Sequence, residues 1–130
     1  MLHHVEIYFS DLQRTLRFWT PLLEMLGYHE SQRFAGGVSY MHENTYLCLV
    51  QAPQEHLNAG YHRKRIGLNH IAFHGRSREH VDQINEWVKS SGFVSLYDDQ
   101  YPYAGGPGYY AVYCEDPDRM KVEVVAPSEL

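Results

Sequence analysis

Leu2-His3-His4-Val5-Glu6-Ile7-Tyr8-Phe9-Ser10 opens the chain, and Leu68-Asn69-His70-Ile71-Ala72-Phe73-His74-Gly75-Arg76 echoes it in the middle. Both stretches alternate as β-strands do. Val5, Ile7 and Phe9 face one way, and His4, Glu6 and Tyr8 face the other. In the second copy Ile71 and Phe73 take the apolar face, while His70, Ala72 and His74 take the opposite one. On the same alternation His3 points away from His4. A fixed pattern that recurs within one chain marks a repeated structural unit.

The segment after each strand supports the repeat. Ser10 and Gln13 are spaced as a capping box, and Leu12, Leu16, Trp19, Leu22, Leu23 and Leu26 then recur at helical spacing until Gly27. Pro21 lies inside this pattern and predicts a kink or an early end. In the second half Ser77 is placed to cap a helix whose apolar face is Val81, Ile84, Trp87 and Val88, and Gly92 stops it. Three strand-like runs complete each half, at about 28–34, 37–43 and 45–51, then at about 93–97, 109–115 and 120–126. Each half therefore reads β-α-β-β-β. Module 1 spans about 1–52, a connector about 53–66, and module 2 about 67–127. One half alone is too small to be stable, so the two are expected to pair within a single domain, 1–130.

Composition sets the outer bounds. The chain has 130 residues, 44% hydrophobic and 21% charged, which is globular. A net charge of −5 argues against a nucleic-acid binder. The one basic run, His62-Arg63-Lys64-Arg65, reads as a solvated linker. No apolar stretch approaches the roughly 18 residues of a membrane span. No signal peptide is visible, and Cys48 and Cys114 form no paired motif; two free thiols point to a reducing cytoplasm.

The chain's end raises the chemical question. Asp116-Pro117-Asp118 is turn chemistry, and the strand Met120-Lys121-Val122-Glu123-Val124-Val125 carries a carboxylate in its middle. Buried and ionised, such a group needs a partner or a metal; the ordinary alternative is that Glu123 faces solvent. Aligning the last strands of the two halves places Cys48 where Glu123 stands.

A histidine at the start of each half's first strand, with the ending Asp-Pro-Asp-Arg-Met-Lys-Val-Glu, resembles the vicinal oxygen chelate superfamily. That superfamily includes glyoxalase I, fosfomycin-resistance proteins, extradiol dioxygenases and bleomycin-resistance proteins. The resemblance spans nearly the whole chain. It implies an α+β fold in which two β-α-β-β-β modules form a curved, cup-like mixed sheet. In metal-binding members, ligands come from the first and last strands of each module. Carried over by position, these are His4, His70 and Glu123, with Cys48 where the family often has Glu or Gln. The remaining two-histidine, one-carboxylate set suits divalent Fe, Mn, Co, Ni or Zn and leaves positions open for substrate oxygens.

The residues themselves allow that reading. Alternation sets His4, His70 and Glu123 on faces opposite their apolar neighbours, and a cation would offset the desolvation of Glu123. A lone strand His or Glu is ordinarily solvated; three at corresponding repeat positions favour a site. His74 and Glu6 share the same faces and are candidates for a general base or for orienting a ligand; a polar residue meeting solvent is the alternative for each. Cys48 is a candidate soft ligand or simply a small buried hydrophobe. Tyr46, Tyr103, Tyr109 and Tyr113 are candidate substrate-wall residues, and the Tyr-, Gly- and Pro-rich loop 98–108 is a candidate lid.

The resemblance implies two possible functions. The first is a divalent-metal-dependent enzyme that chelates neighbouring oxygens of a small substrate, by lyase, isomerase, epoxide-opening or dioxygenase chemistry. The missing carboxylate at position 48 argues against a four-ligand glyoxalase I. The second is a metal-free protein that sequesters a drug, as bleomycin-resistance proteins do. The family also implies a homodimer, with modules paired within a chain or exchanged between chains.

Overall fold

The computed structural model describes residues 1–129. It is α+β, as the sequence predicts, and the repeat is borne out element by element. The first half contains β1 (His4–Phe9), α1 (Leu12–Met25), β2 (His29–Phe34), β3 (Gly37–His42) and β4 (Thr45–Gln51). The second contains β5 (His70–His74), α2 (Arg78–Ser90), β6 (Val94–Leu96), β7 (Ala111–Glu115) and β8 (Lys121–Val125). Each half builds its own four-stranded mixed sheet, ordered β1-β4-β3-β2 and β5-β8-β7-β6. The chain falls into two compact units, Met1–Gly60 and Tyr61 onward, so the boundary lies inside the expected connector. A short 3-10 helix, Gln54–Ala59, occupies part of that connector.

The order of strands reflects how they are joined. β1 and β4 run parallel, as do β5 and β8, so each pair needs a long crossover that includes a helix. The other pairs are antiparallel and are joined by turns and loops. In both units the helix covers one face. Phe18, Trp19, Leu22 and Leu23 of α1 are buried with Val38, Tyr40, Leu47 and Leu49 of the sheet. Val81, Ile84 and Val88 of α2 are buried with Val112, Cys114, Val122 and Val124. Each such side chain contributes about 1.5–3 kcal/mol when taken out of water. The polar positions are left to the opposite faces.

The helix ends show the repeat in hydrogen bonds. After α1, Gly27 N–H bonds to the Glu24 carbonyl and Tyr28 N–H to the Leu23 carbonyl. After α2, Gly92 N–H bonds to the Lys89 carbonyl and Phe93 N–H to the Val88 carbonyl. Both are the same C-terminal motif, and both glycines have positive φ, +94° and +79°. Ser77 caps α2 as expected, accepting from His80 N–H.

Three local expectations are corrected, and that for Pro21 is narrowed. Asp11, not Ser10, caps α1: its carboxylate accepts from Arg14 N–H, while the Ser10 hydroxyl accepts from the Arg14 guanidinium. Pro21 lies inside α1, which continues to Met25, so of the two expected outcomes the early end is the one not taken. The carbonyl deprived of a donor is that of Arg17, on the exposed side of the helix where water can serve it. β6 stops at Leu96 because Tyr97 takes a left-handed conformation, φ +57°. β7 starts at Ala111 rather than at 109. Asp116 confirms the turn: its buried carboxylate accepts from Asp118 N–H and Met120 N–H and so sets the entry to β8.

Among the described residues no helix is long and apolar enough to cross a membrane. Both cysteines are free and buried. Burial pushes the Cys114 thiol up to about 12, with Asp116 and Glu115 adding to the shift. Below about pH 9 the thiol is protonated in folded and unfolded chains alike, and its contribution to stability is complete. As pH rises toward 12 only the unfolded chain ionises, so stability falls. The expected outcome is a Cys114 thiol silent to a thiolate-specific reagent at pH 8 until denaturant is added. Replacing Cys114 with Ser should flatten part of the loss of melting temperature above pH 9.

Candidate functional site

The register of the two sheets settles which residues correspond. In the first sheet Glu6 pairs with Cys48, and Cys48 with Ser39. In the second, Ala72 pairs with Glu123, and Glu123 with Tyr113. Cys48 and Glu123 therefore occupy equivalent places in the interior strands, as the sequence alignment predicts. His4 and His70 begin equivalent strands, paired with Tyr46 and Lys121 respectively.

In the second unit two of the three predicted ligands meet. Glu123 is 3% exposed, and its Oε1 lies 3.4 Å from His70 Nε2. Asn69 Oδ1 lies 2.7 Å from His70 Nδ1. A carboxamide oxygen only accepts, so Nδ1 carries a hydrogen and Nε2 is the nitrogen that faces Glu123. At 3.4 Å that approach accommodates a proton on Nε2 or, with a small adjustment, a metal ion bound by both groups. The pair therefore fits two ligands of a metal site, with Asn69 in the outer-sphere role that orients a ligating imidazole.

The second oxygen of Glu123 is also engaged. Tyr109 donates its hydroxyl hydrogen to Oε2. That bond to the carboxylate, with burial, pushes the Tyr109 phenol up to about 12. Tyr113, buried beside Glu123, is raised too, first by desolvation and then by the carboxylate's charge. Gly105 makes the arrangement sterically possible. A β-carbon there would come within 2.5 Å of the Tyr113 hydroxyl and 2.6 Å of the Tyr109 ring. Tyr109 also borders a cavity of about 510 Å³ lined by Arg78, Pro107, Gly108 and Val125 among others.

The loop that carries Tyr109 is tied to α2. Tyr101 and Tyr110 both donate to Asp82, each at 2.5 Å. Arg78 sits 4.9 Å from the Tyr110 ring centroid and donates to the Tyr103 hydroxyl at 3.2 Å. Tyr103 thus anchors the loop at the start of α2, whereas Tyr109 and Tyr113 stand at Glu123. His74 and Glu6 are exposed on the predicted faces, and neither makes a hydrogen bond or ion pair with a described residue.

In the first unit the His4 ring stacks on Tyr46, with centroids 4.6 Å apart and planes 2° from parallel. His3 does not point away, contrary to the alternation. It precedes β1, and its Nδ1 lies 2.8 Å from His4 Nδ1 with its ring edge-on to Tyr46. Cys48 is 6% exposed, and its sulfur lies 2.8 Å from the Ser39 hydroxyl. Among the described residues no cluster of three or more His, Cys, Asp or Glu side chains is gathered closely enough to hold a metal ion. The structure brings together His70 and Glu123; His4 belongs to the other unit.

Sequence reading overlooked three neighbours of this pair. Asn69 precedes His70 directly. Lys121 lies two residues before Glu123, and strand alternation was enough to place it on the same face. Its Nζ sits 4.9 Å and 5.2 Å from the centroids of Tyr97 and Tyr113. Tyr97 carried no such signal, because its position depends on a left-handed backbone.

Residues 1–124 match the model of the Glyoxalase/Bleomycin resistance protein/Dioxygenase superfamily. The chain is 51% identical over 127 residues to the uncharacterized protein YqjT of Bacillus subtilis (strain 168), covering 98% of this chain and 99% of that one. A crystal structure from Bacillus halodurans, also 51% identical, superposes with a TM-score of 0.96 over 98% of this chain and 96% of its own. A variant of the fosfomycin resistance protein FosX from Listeria monocytogenes, complexed with Mn(II) and 1S,2S-dihydroxypropylphosphonic acid, shares the fold. Its TM-score is 0.68 at 22% identity, over 99% of this chain and 91% of its own.

Removing the negative charge of Glu123 while keeping its shape should release Tyr109. In Glu123→Gln the Tyr109 phenol is expected to titrate closer to the ordinary tyrosine value of about 10 than to 12. Carbon-13 NMR of labelled tyrosine rings would track it, and an unchanged titration would contradict the Tyr109–Glu123 bond.

Proposed function

The chain belongs to the Glyoxalase/Bleomycin resistance protein/Dioxygenase superfamily, and from that premise we propose that it is a divalent-metal-dependent enzyme acting on neighbouring oxygens of a small substrate. The observation that carries the reading is the facing pair His70 Nε2 and Glu123 Oε1, with the carboxylate shut away from water. His70 and Glu123 would hold the metal, His4 is the third ligand that the family resemblance implies, and a homodimer is the assembly it implies. When bound, the metal would act as a Lewis acid toward the substrate's oxygens. The Mn(II) complex of FosX, a relative in fold, makes manganese a sensible first ion to try.

The chain's own residues have separable tasks. Asn69 holds the His70 ring so that Nε2 faces the site. Tyr109 fixes the second oxygen of Glu123 and stays protonated at neutral pH, so it acts as a donor throughout. Tyr113 and Tyr109 would line the substrate wall at Glu123; Tyr46 and Cys48 are the wall candidates of the first unit. His74 and Glu6, exposed and unpaired, would take up or deliver a proton. Cys48 in place of a carboxylate favours the three-ligand chemistry of epoxide opening or oxygenation over a four-ligand lyase. Two unlinked thiols suit work in a reducing cytoplasm.

Metal content of untagged protein, purified without chelators, tests the proposal. About one tightly held metal per chain is expected, lost in His70→Ala and in Glu123→Ala. Asn69→Ala should weaken binding by about 10- to 100-fold without abolishing it. A chain that binds no divalent ion, or binds it equally after both ligand substitutions, would overturn the reading. Unimpaired capture of a planar drug by such a chain is what the sequestering alternative requires.

A further inference from the structure

Lys121 is the register partner of His70 on the adjacent parallel strand, and both share a face with Glu123. Neighbouring strands lie about 4.8 Å apart, and two residues along a strand span about 7 Å. Lys121 is thus rooted beside the pair proposed to hold a cation, and its ammonium lies against the ring of Tyr113, the register partner of Glu123. Among the described residues it is also held without a carboxylate partner. Its cross-strand register partner, Glu115, is committed to Arg63 at 3.0 Å and Arg119 at 3.5 Å.

Aromatic rings hold Lys121 in place. Its Nζ packs against the rings of Tyr97 and Tyr113 and donates to the Tyr97 hydroxyl at 3.2 Å. Ring faces position a cation while leaving its charge largely intact. One ammonium hydrogen is used, so two remain. The Tyr97 hydroxyl accepts from Lys121 and keeps its own hydrogen to donate. Tyr97 reaches this place only through a left-handed backbone, φ +57° and ψ +34°, which residues with a β-carbon rarely adopt. In the first unit the equivalent of Lys121 is Tyr46, stacked on His4, so the repeat itself does not demand a lysine here.

We propose that Lys121 and the Tyr97 hydroxyl dock an anionic group of the substrate, a carboxylate or a phosphonate-type oxyanion, next to His70 and Glu123. The inference rests on the enzyme reading above for the placing of the substrate's paired oxygens at those two residues. The substrate is then a small acid that carries its charge a few bonds from its neighbouring oxygens. Its negative charge offsets the excess positive charge that a metal and an ammonium would otherwise create side by side.

Titration of the full chain with methylphosphonate and with acetate, before and after metal removal, tests this by nitrogen-15 NMR. Binding is expected to shift the amides of residues 97 and 121, and the better-bound probe identifies the oxyanion class. Lys121→Met should weaken the preferred probe by about tenfold or more, Tyr97→Phe by less, and Lys121→Arg should retain most of it. Failure of the wild-type chain to bind either probe, or equal affinity in wild type and Lys121→Met, would overturn the proposal. Should Lys121→Met lose its fold, Tyr97→Phe serves as the deciding variant, and unchanged affinity there counts against it. Metal titration of Lys121→Met separates the two ideas. Retained metal binding with lost anion binding supports both. Absent metal binding in the wild type sinks the enzyme reading alone.

Discussion

Glu123 sits in an interior strand of the second sheet, 3% exposed, with a histidine nitrogen facing one oxygen and a tyrosine hydroxyl bound to the other. A carboxylate so placed is tolerable only because each oxygen has a partner. The constraint propagates outward. Tyr109 must be delivered to Oε2, which fixes the end of the long loop before β7. His70 must present Nε2, which Asn69 enforces from the residue before. Gly105 must lack a side chain for the loop to close over Tyr113 and Tyr109. The second unit's open face is organised around one acid.

The two halves show how little backbone change is needed to alter chemistry. They share strand order, helix placement and even the same hydrogen-bonded motif at the end of each helix. At equivalent register positions, however, Cys48 answers Glu123, Ser39 answers Tyr113, and Tyr46 answers Lys121. The first unit thus offers an imidazole on an aromatic shelf. The second offers a carboxylate, an imidazole and an ammonium. A polar face away from the helix can be rewritten in this way because the core on the other face is untouched by the change.

The loop of the second unit is the main departure from symmetry. Asp82 receives two tyrosine hydroxyls, and Arg78 lies against the rings of Tyr103 and Tyr110. These contacts bind the loop to α2. The loop is consequently part of the site's support rather than a free flap.

Period-two alternation and helical spacing were enough to read the repeat, the element order and the faces of β1 and β5 from the amino-acid order alone. They depend on local geometry that every strand and helix shares. The equivalence of Cys48 and Glu123 was legible for the same reason. Local cues failed where a side chain competed with the rule, as when Asp11 displaced Ser10 as cap, or where a residue lay just outside its strand, as His3 does. Which groups meet belongs to the tertiary structure. The approach of His70 to Glu123, the bond from Tyr109 and the aromatic seat of Lys121 join residues distant in sequence, by register across strands and by the path of one loop. Alternation assigns a face; only strand pairing and loop closure decide which neighbours share it.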